Sequence, residues 1–294
     1  MGFFLAQLYK YNMSELYNKL KDYWNGKLGK YGDELVREHA KELKAYSIAD
    51  ISDIIDHLEQ NKFRLETYGK TSWSKFLNIA KLSEYLRPGY ITDALDITTH
   101  QPAMGQGEFL FVSCFKNIAI NSESGDLIDT ITKEKIEFKG NRSSFAGEDK
   151  DKLKYKEMND VVMYSICSLF DIVENSKGSF DREFCKMIDG KLKEQPELVD
   201  KVIKICQNIE PESHTITKMF AQLYKEKEDL YHVVAAMHCY TYLKLQNTNW
   251  LVVTSDNGFA IFKAPKDAED AWSIIKELKL STWGKQNKSI ELSL

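Results

Sequence analysis

The segment "GDLIDTITKEKIEFKGN", residues 125–141, carries two acidic residues and a lysine whose spacing could support metal chemistry. If residues 135–139 form a strand, Glu137 and Lys139 share one face, because successive side chains point to opposite faces. Asp126 would open the neighbouring strand of a hairpin, close to Glu137. Two carboxylates near each other repel, and a divalent cation between them removes that repulsion. We therefore expect Mg²⁺ or Mn²⁺ at Asp126 and Glu137, with the backbone carbonyl of Phe138 as a further ligand.

The same residue types indicate a reaction class. A bound Mg²⁺ polarises a phosphorus atom and lowers the pKa of a coordinated water. Lys139 would contact the attacking water or the negative charge that develops at the phosphorus. The pattern therefore predicts metal-assisted hydrolysis of a phosphodiester, with Asp126 and Glu137 as metal ligands and Lys139 as the catalytic cation.

The spacing of an acidic residue and a lysine two positions later is a weak signal by itself. The chain repeats it at Glu42 and Lys44, Glu148 and Lys150, Asp189 and Lys191, and Glu277 and Lys279. A surface strand can also carry both charges without any function. Residues 135–139 differ in their context, since apolar residues alternate with the charges, a Gly-Asp pair precedes them and a glycine follows the lysine.

The apolar spacing along the chain divides it into two parts. Residues 1–100 are predicted as a helical N-terminal region, with one of its helices over residues 71–86. Residues 101–294 are predicted as the core domain, with a helical insertion at about 150–225.

Within the core domain, a helix is expected from Glu108 to about Lys116, followed by a hairpin with strands at 126–131 and 135–139. The apolar segments 229–246 and 250–255 predict a buried helix and a central strand. This order of elements predicts an α/β fold, in which helices flank a mixed sheet.

These motifs resemble the PD-(D/E)XK nuclease superfamily, which includes restriction endonucleases, phage nucleases and repair nucleases. The resemblance is carried by "SGD" at 124–126, "IEFKG" at 136–140 and "GQGE" at 105–108. It implies a restriction-endonuclease-like core. Members often place a further metal-linked glutamate on the helix before the first core strand, which Glu108 fits, although a helix N-terminus favours any glutamate. Gly125 stands where the motif's name has proline.

The resemblance implies a metal-dependent DNA endonuclease, a deoxyribonuclease of restriction type or one encoded by a phage. Contacts to DNA phosphates are expected from basic residues after the catalytic strand, namely Arg142, Lys150, Lys152 and Lys154. A solvated loop would also account for these four side chains. A homodimer would be the simplest way to cut both DNA strands symmetrically. The alternative is a non-catalytic protein on the same fold that binds DNA or serves in phage structure or assembly.

The composition narrows the class of protein. Of 294 residues 43% are hydrophobic, which is enough for a folded core. The net charge of -4 means that no overall positive field indicates nucleic-acid binding. The five cysteines show no metal-ligand spacing and predict buried thiols in a reducing compartment. No apolar run approaches the ~18 residues of a membrane span. We therefore expect no membrane partner and a cytoplasmic location, inside a microbe or a phage-infected host.

Overall fold

The computed structural model describes most of the chain, including the predicted catalytic residues. The described ranges are 17–24, 32–96, 107–121, 125–140, 143–145, 158–172, 179–207, 213–283 and 290–294. The predicted DNA contacts Arg142, Lys150, Lys152 and Lys154 lie outside these ranges, so their role stays a prediction.

The described residues form a mixed α/β structure. The helices are α1 (residues 17–23), α2 (Gly32–Tyr46), α3 (Ile51–Gln60), α4 (Phe76–Ile79), α5 (Gly89–Asp96), α6 (Glu108–Cys114), α7 (Met158–Leu169), α8 (Arg182–Glu194), α9 (Val199–Gln207), α10 (His214–Lys227), α11 (Leu230–Leu245) and α12 (Ala268–Lys276). The strands are β1 (Tyr68–Ser72), β2 (Ile118–Ile120), β3 (Leu127–Asp129), β4 (Lys135–Lys139), β5 (Ser143–Ser144), β6 (Trp250–Ser255), β7 (Gly258–Lys263), β8 (Lys279–Trp283) and β9 (Ile290–Ser293).

The chain divides into two compact units. The first unit comprises residues 1–140 with 248–261, and the second comprises 141–247 with 262–294. This division differs from the predicted one at residue 100, because helices on the N-terminal side of that residue share a hydrophobic core with the sheet that follows it.

The first unit contains a six-stranded sheet in the order β1-β7-β6-β4-β3-β2. Strands β2, β3 and β4 form an antiparallel meander, whereas β4 and β6 run parallel. The sheet is therefore mixed, as the sequence predicts. Strand β4 lies between two neighbours, with Ile136 opposite Leu127 on one side and Glu137 opposite Leu251 on the other.

The alternation in β4 gives its two faces different roles. Ile136 and Phe138 are buried in the hydrophobic core of the first unit, while Glu137 and Lys139 point to the opposite face. The ring of Phe138 packs edge-on against Phe111 of α6, with ring centroids 5.3 Å apart. Helix α6 therefore lies on the apolar face of β4. Phe111 also contacts the rings of Phe63, Phe76, Phe115 and Phe259.

The predicted strand Lys135–Lys139 is confirmed, whereas its partner is shorter than the predicted 126–131. The strand ends at Asp129 because this residue closes the turn. Its Oδ1 accepts hydrogen bonds from the backbone N–H groups of Ile131 and Thr132, and its carbonyl accepts one from Lys133. A carboxylate that bonds the next backbone amides favours a turn over an extended chain.

Two predicted helices are wrong in part. Residues 71–86 contain the end of β1, a 3₁₀ turn and only the short helix α4. The β1 residues bond to β7, so a tertiary strand pairing overrides the local helical spacing. The helix that begins at Glu108 ends at Cys114, and the following residues form the unpredicted strand β2.

The second unit contains α7 to α12 and a three-stranded sheet in the order β5-β9-β8. Helix α11 is buried from Leu230 to Leu243, as its uniformly apolar sequence predicts. Asp189 of α8 connects this helix to α10, because its Oδ1 accepts hydrogen bonds from the Tyr224 hydroxyl and from the Leu230 N–H. The five cysteines are buried thiols that form no disulfide, as predicted. Among the described helices, none is long and apolar enough to cross a membrane.

The turn after β3 depends on the buried side chain of Asn117. Its amide N donates to Asp129 Oδ2 and to the Phe63 carbonyl, and its Oδ1 accepts from the Phe63 N–H. We expect Asn117→Ala to lower the free energy of unfolding by about 2–4 kcal/mol, because several buried polar groups lose their partners. Urea denaturation measures this change. The exposed Asn78 provides a matched control, and equal effects of Asn78→Ala and Asn117→Ala would contradict the prediction.

The carboxyl of Asp189 should make the stability of the second unit depend on pH. Burial raises its pKa to about 6 from the usual aspartate value of 3.8, against the lowering effects of the Tyr224 hydroxyl, the Leu230 N–H and Lys193. The folded form therefore binds more protons between these two values, so stability falls as the pH rises through that window. Asp189→Asn keeps an acceptor oxygen and should flatten this slope in urea midpoints measured from pH 4 to 7. Asp200→Asn, at an exposed site, should keep the wild-type slope, and an unchanged slope in Asp189→Asn would refute the assignment.

Candidate functional site

The Asp126 carboxylate lies against β4, at the end of the meander. The backbone N–H of Phe138 donates to Asp126 Oδ2 over 2.7 Å, and the Asp126 N–H donates to the Ile136 carbonyl over 3.0 Å. Strand β3 begins only at Leu127, so the carboxylate acts as the acceptor that a longer strand would have supplied. This hydrogen bond fixes Asp126 beside the peptide group that joins Glu137 to Phe138.

The Phe138 carbonyl faces the same edge of β4 as this hydrogen bond. Both backbone groups of a strand residue point to one neighbouring strand, and the direction alternates along the chain. On the β6 side, the Lys135 N–H donates to the side-chain Oδ1 of Asn249, and the Lys135 carbonyl accepts from the Asn249 N–H. On the β3 side, the Ile136 carbonyl accepts from the Asp126 N–H. Phe138 follows Ile136 in this alternation. Its carbonyl oxygen and the Asp126 carboxylate therefore lie along one edge, as a shared metal site requires.

Glu137 and Lys139 form an ion pair on the face of β4 that points away from the core of the first unit. The Lys139 Nζ lies 2.8 Å from Glu137 Oε1, and only 13% and 5% of the two side chains are exposed. The parallel register places Leu251 and Val253 of β6 beside them. Because little water reaches this pair, its electrostatic interactions are stronger than those of a surface pair.

Glu108 begins α6, at the end of the sheet where Lys139 lies. The preceding Gly107 has a φ of 94°, and a Cβ at this position would lie 3.0 Å from Trp73 Cη2 and 3.2 Å from Thr254 Cγ2. The Thr254 hydroxyl in turn lies 3.5 Å from the Lys139 carbonyl. The structure thus pairs Glu137 with Lys139 and places the Asp126 carboxylate on the backbone N–H of Phe138, the residue between them. Glu108 lies on the helix that packs against the other face of β4.

Trp73 and Thr254 hold the start of α6 and were not identified from the sequence. The Trp73 indole N–H donates to the Ser255 carbonyl over 2.7 Å, which ties the segment after β1 to the end of β6. Thr254 had a detectable signal, since it ends the apolar run "WLVVTS". Trp73 had none, because its segment has helical spacing.

The oxygen atoms at this place suit Mg²⁺ or Mn²⁺. Both ions prefer hard oxygen ligands, and Mg²⁺ usually takes one or two carboxylates and keeps several waters. Asp126, Glu137 and the Phe138 carbonyl offer such a set. Within the described ranges, no group of three or more histidine, cysteine or acidic side chains is arranged to hold a metal ion. Two carboxylates and one carbonyl would leave the other coordination positions of such an ion to water or substrate oxygen atoms.

The contact between Gly107, Trp73 and Thr254 predicts that Gly107 tolerates no side chain. Gly107→Ala should lower the free energy of unfolding by about 2–4 kcal/mol, from backbone strain and from overpacking against the two neighbours. Chemical denaturation measures the loss. Gly190 within α8 is the control, because a Cβ there meets nothing within 4 Å. Gly190→Ala should raise stability by about 0.5–1 kcal/mol, and a loss as large as that of Gly107→Ala would contradict this account.

Comparison with known proteins identifies no relative. No family model matches the chain, and no curated protein or solved structure matches it. The resemblance to the PD-(D/E)XK superfamily therefore stays a prediction that rests on the motifs around Asp126, Glu137 and Lys139. A functional argument for this protein must start from the geometry of the site.

Proposed function

We propose that this protein is a metal-dependent deoxyribonuclease of the PD-(D/E)XK type, an endonuclease that hydrolyses DNA phosphodiester bonds. One observation carries the proposal: inside a mixed sheet, strand β4 carries the Glu137–Lys139 ion pair, and the residue between them binds the Asp126 carboxylate. Asp126 bonds to the Phe138 amide at 2.7 Å, and Lys139 Nζ lies 2.8 Å from Glu137 Oε1.

The order of elements along the chain supports the proposal. Helix α6 comes first, followed by the meander β2-β3-β4, a helical segment, the buried helix α11 and the strand β6, parallel to β4. This order is the one predicted from the sequence, with β2 as an additional strand, and it would suit a restriction-endonuclease-like core.

Each residue has a defined task in this mechanism. Asp126, Glu137 and the Phe138 carbonyl would hold Mg²⁺ or Mn²⁺, with Glu108 as a supporting carboxylate. The bound ion supplies Lewis-acid activation of the phosphate and a water of lowered pKa. Hydrolysis would join the oxygen of a water molecule to phosphorus and break one P–O ester bond. The proton that this water loses would pass to solvent, and the leaving oxygen would take up a proton from solvent. The Lys139 ammonium stabilises the negative charge that grows on the phosphate oxygens.

A polyanionic substrate fits the remaining sequence predictions. Arg142, Lys150, Lys152 and Lys154 would contact DNA phosphates, which makes binding weaken as the salt concentration rises. One site faces one DNA strand, so a homodimer would allow both strands to be cut symmetrically.

The ion pair itself favours a second candidate function. Glu137 and Lys139 neutralise each other on a covered sheet face, as a purely structural pair would. On this reading the protein is a non-catalytic DNA-binding, phage structural or assembly protein. The two candidates differ in whether these residues support cleavage.

The test compares DNA cleavage by the wild type and by Asp126→Asn, Glu137→Gln and Lys139→Met, on plasmid and linear DNA with Mg²⁺ or Mn²⁺. We expect cleavage to need the metal and to fall by about 100-fold or more in each variant, since each removes a ligand or a transition-state cation. Gel electrophoresis of the products provides the rates and separates discrete fragments from a smear.

Two charge-matched variants provide controls at the other end of β4. Lys133→Met and Glu134→Gln change the same charges at the turn and should cleave at the wild-type rate. The absence of metal-dependent cleavage would favour the non-catalytic protein. Equal cleavage by the wild type and all three site variants would indicate a contaminating nuclease and reject the assignment of these residues.

A further inference from the structure

We infer that Lys139 competes with the metal ion for the Glu137 carboxylate and thereby sets how tightly the site binds metal. This inference rests on the proposed function, because it concerns the metal that the proposed reaction requires. It starts from the position of the Lys139 Nζ, 2.8 Å from Glu137 Oε1.

The distance leaves little room for a second cation at the same oxygen. Mg²⁺ binds a carboxylate oxygen at about 2.0–2.1 Å. An ion at that distance from Oε1 and an ammonium at 2.8 Å from the same atom would both be in direct contact with it. Their positive charges repel over this short separation. Binding of the metal through Oε1 is therefore weakened by electrostatic repulsion as long as the ammonium stays in contact with that atom.

Burial strengthens this competition. The two side chains are 13% and 5% exposed, so little water screens the repulsion between the ammonium and a divalent ion. The same burial makes an uncompensated Glu137 carboxylate costly, which favours occupation of Oε1 by one of the two cations. Lys139 and the metal thus compete for the same carboxylate oxygen.

The two partners differ in their freedom to move. Glu137 has a short side chain on a strand that is paired on both sides, with Leu251 of β6 as its neighbour. Lys139 has a flexible four-carbon stem at the last position of β4, so its ammonium can swing away while its backbone stays in the sheet. Displacement by the metal would bring the ammonium to the phosphate, where the proposed mechanism uses it.

Metal affinity, measured by calorimetric titration of the full-length protein with Mn²⁺, tests the inference without reference to cleavage. We expect Lys139→Met to bind Mn²⁺ about tenfold more tightly than the wild type, because the competing cation is gone. Lys139→Gln should shift the affinity in the same direction while keeping a hydrogen-bond donor for Glu137. It provides the measurement if Lys139→Met does not fold. Lys133→Met removes the same charge from the exposed turn and should leave the affinity unchanged.

A double-mutant cycle assigns the effect to the ion pair. Glu137→Gln should weaken Mn²⁺ binding, because a ligand oxygen loses its charge. Adding Lys139→Met to Glu137→Gln should then give no gain in affinity, since the carboxylate for which the two cations compete is absent. A full tenfold gain in the double variant would overturn the inference. The gain would then come from the loss of the positive charge of Lys139 near the metal, and not from its contact with the Glu137 carboxylate.

The outcomes separate this inference from the proposed function. If the wild type cleaves DNA with metal but Lys139→Met and Lys139→Gln bind Mn²⁺ no more tightly, the competition is refuted and the nuclease stands. If neither the wild type nor any Lys139 variant binds Mn²⁺, both proposals fail. If Lys133→Met tightens binding as much as Lys139→Met, the effect is one of net charge and the inference is wrong.

Discussion

The hydrogen bond from the Phe138 N–H to Asp126 Oδ2 is the interaction on which the site depends. It lies at the open end of the hairpin, just before β3 begins at Leu127. The Phe138 N–H therefore has an acceptor although β3 does not extend to it. It also holds a carboxylate next to the peptide that carries Glu137. Because Phe138 places its ring against Phe111 of α6, the same residue links this bond to the aromatic core. The position of the acid is thus coupled to the packing of the first unit.

The two faces of strand β4 differ, because one packs into the hydrophobic core and the other carries charged side chains. Ile136 and Phe138 enter the hydrophobic core, and the period of two then forces Glu137 and Lys139 to the opposite face. Charges on a covered face need compensation, which the ion pair provides. A buried pair of this kind adds little net stability compared with apolar residues. Folding alone therefore does not require this pair at an interior strand.

Sequence patterns predict those parts of the fold in which local and tertiary preferences agree. The strand Lys135–Lys139 has apolar alternation and turn residues at its ends, and its predicted bounds are those observed. Strands β1 and β2 are short, and the polar β1 acquires its structure only by pairing with β7, which no local pattern reveals. In the site, spacing predicts that Glu137 and Lys139 share a face. It does not predict the hydrogen bond of Asp126, which depends on where β3 begins. It also does not predict the contacts of Trp73, whose partners lie far from it in sequence.

The other acid-x-lysine pairs in the described chain show why geometry outweighs the motif. Asp189 and Lys191 lie on helix α8, where residues two apart do not face each other. Asp189 instead accepts hydrogen bonds from the Tyr224 hydroxyl and the Leu230 N–H. The Lys191 Nζ lies 3.8 Å from Glu194 Oε2. The same two residue types thus serve helix packing in one place and form a compact charged site in the other. Glu137 and Lys139 differ from that pair because a strand places both of their side chains on one face, next to Phe138, whose backbone N–H binds a second carboxylate.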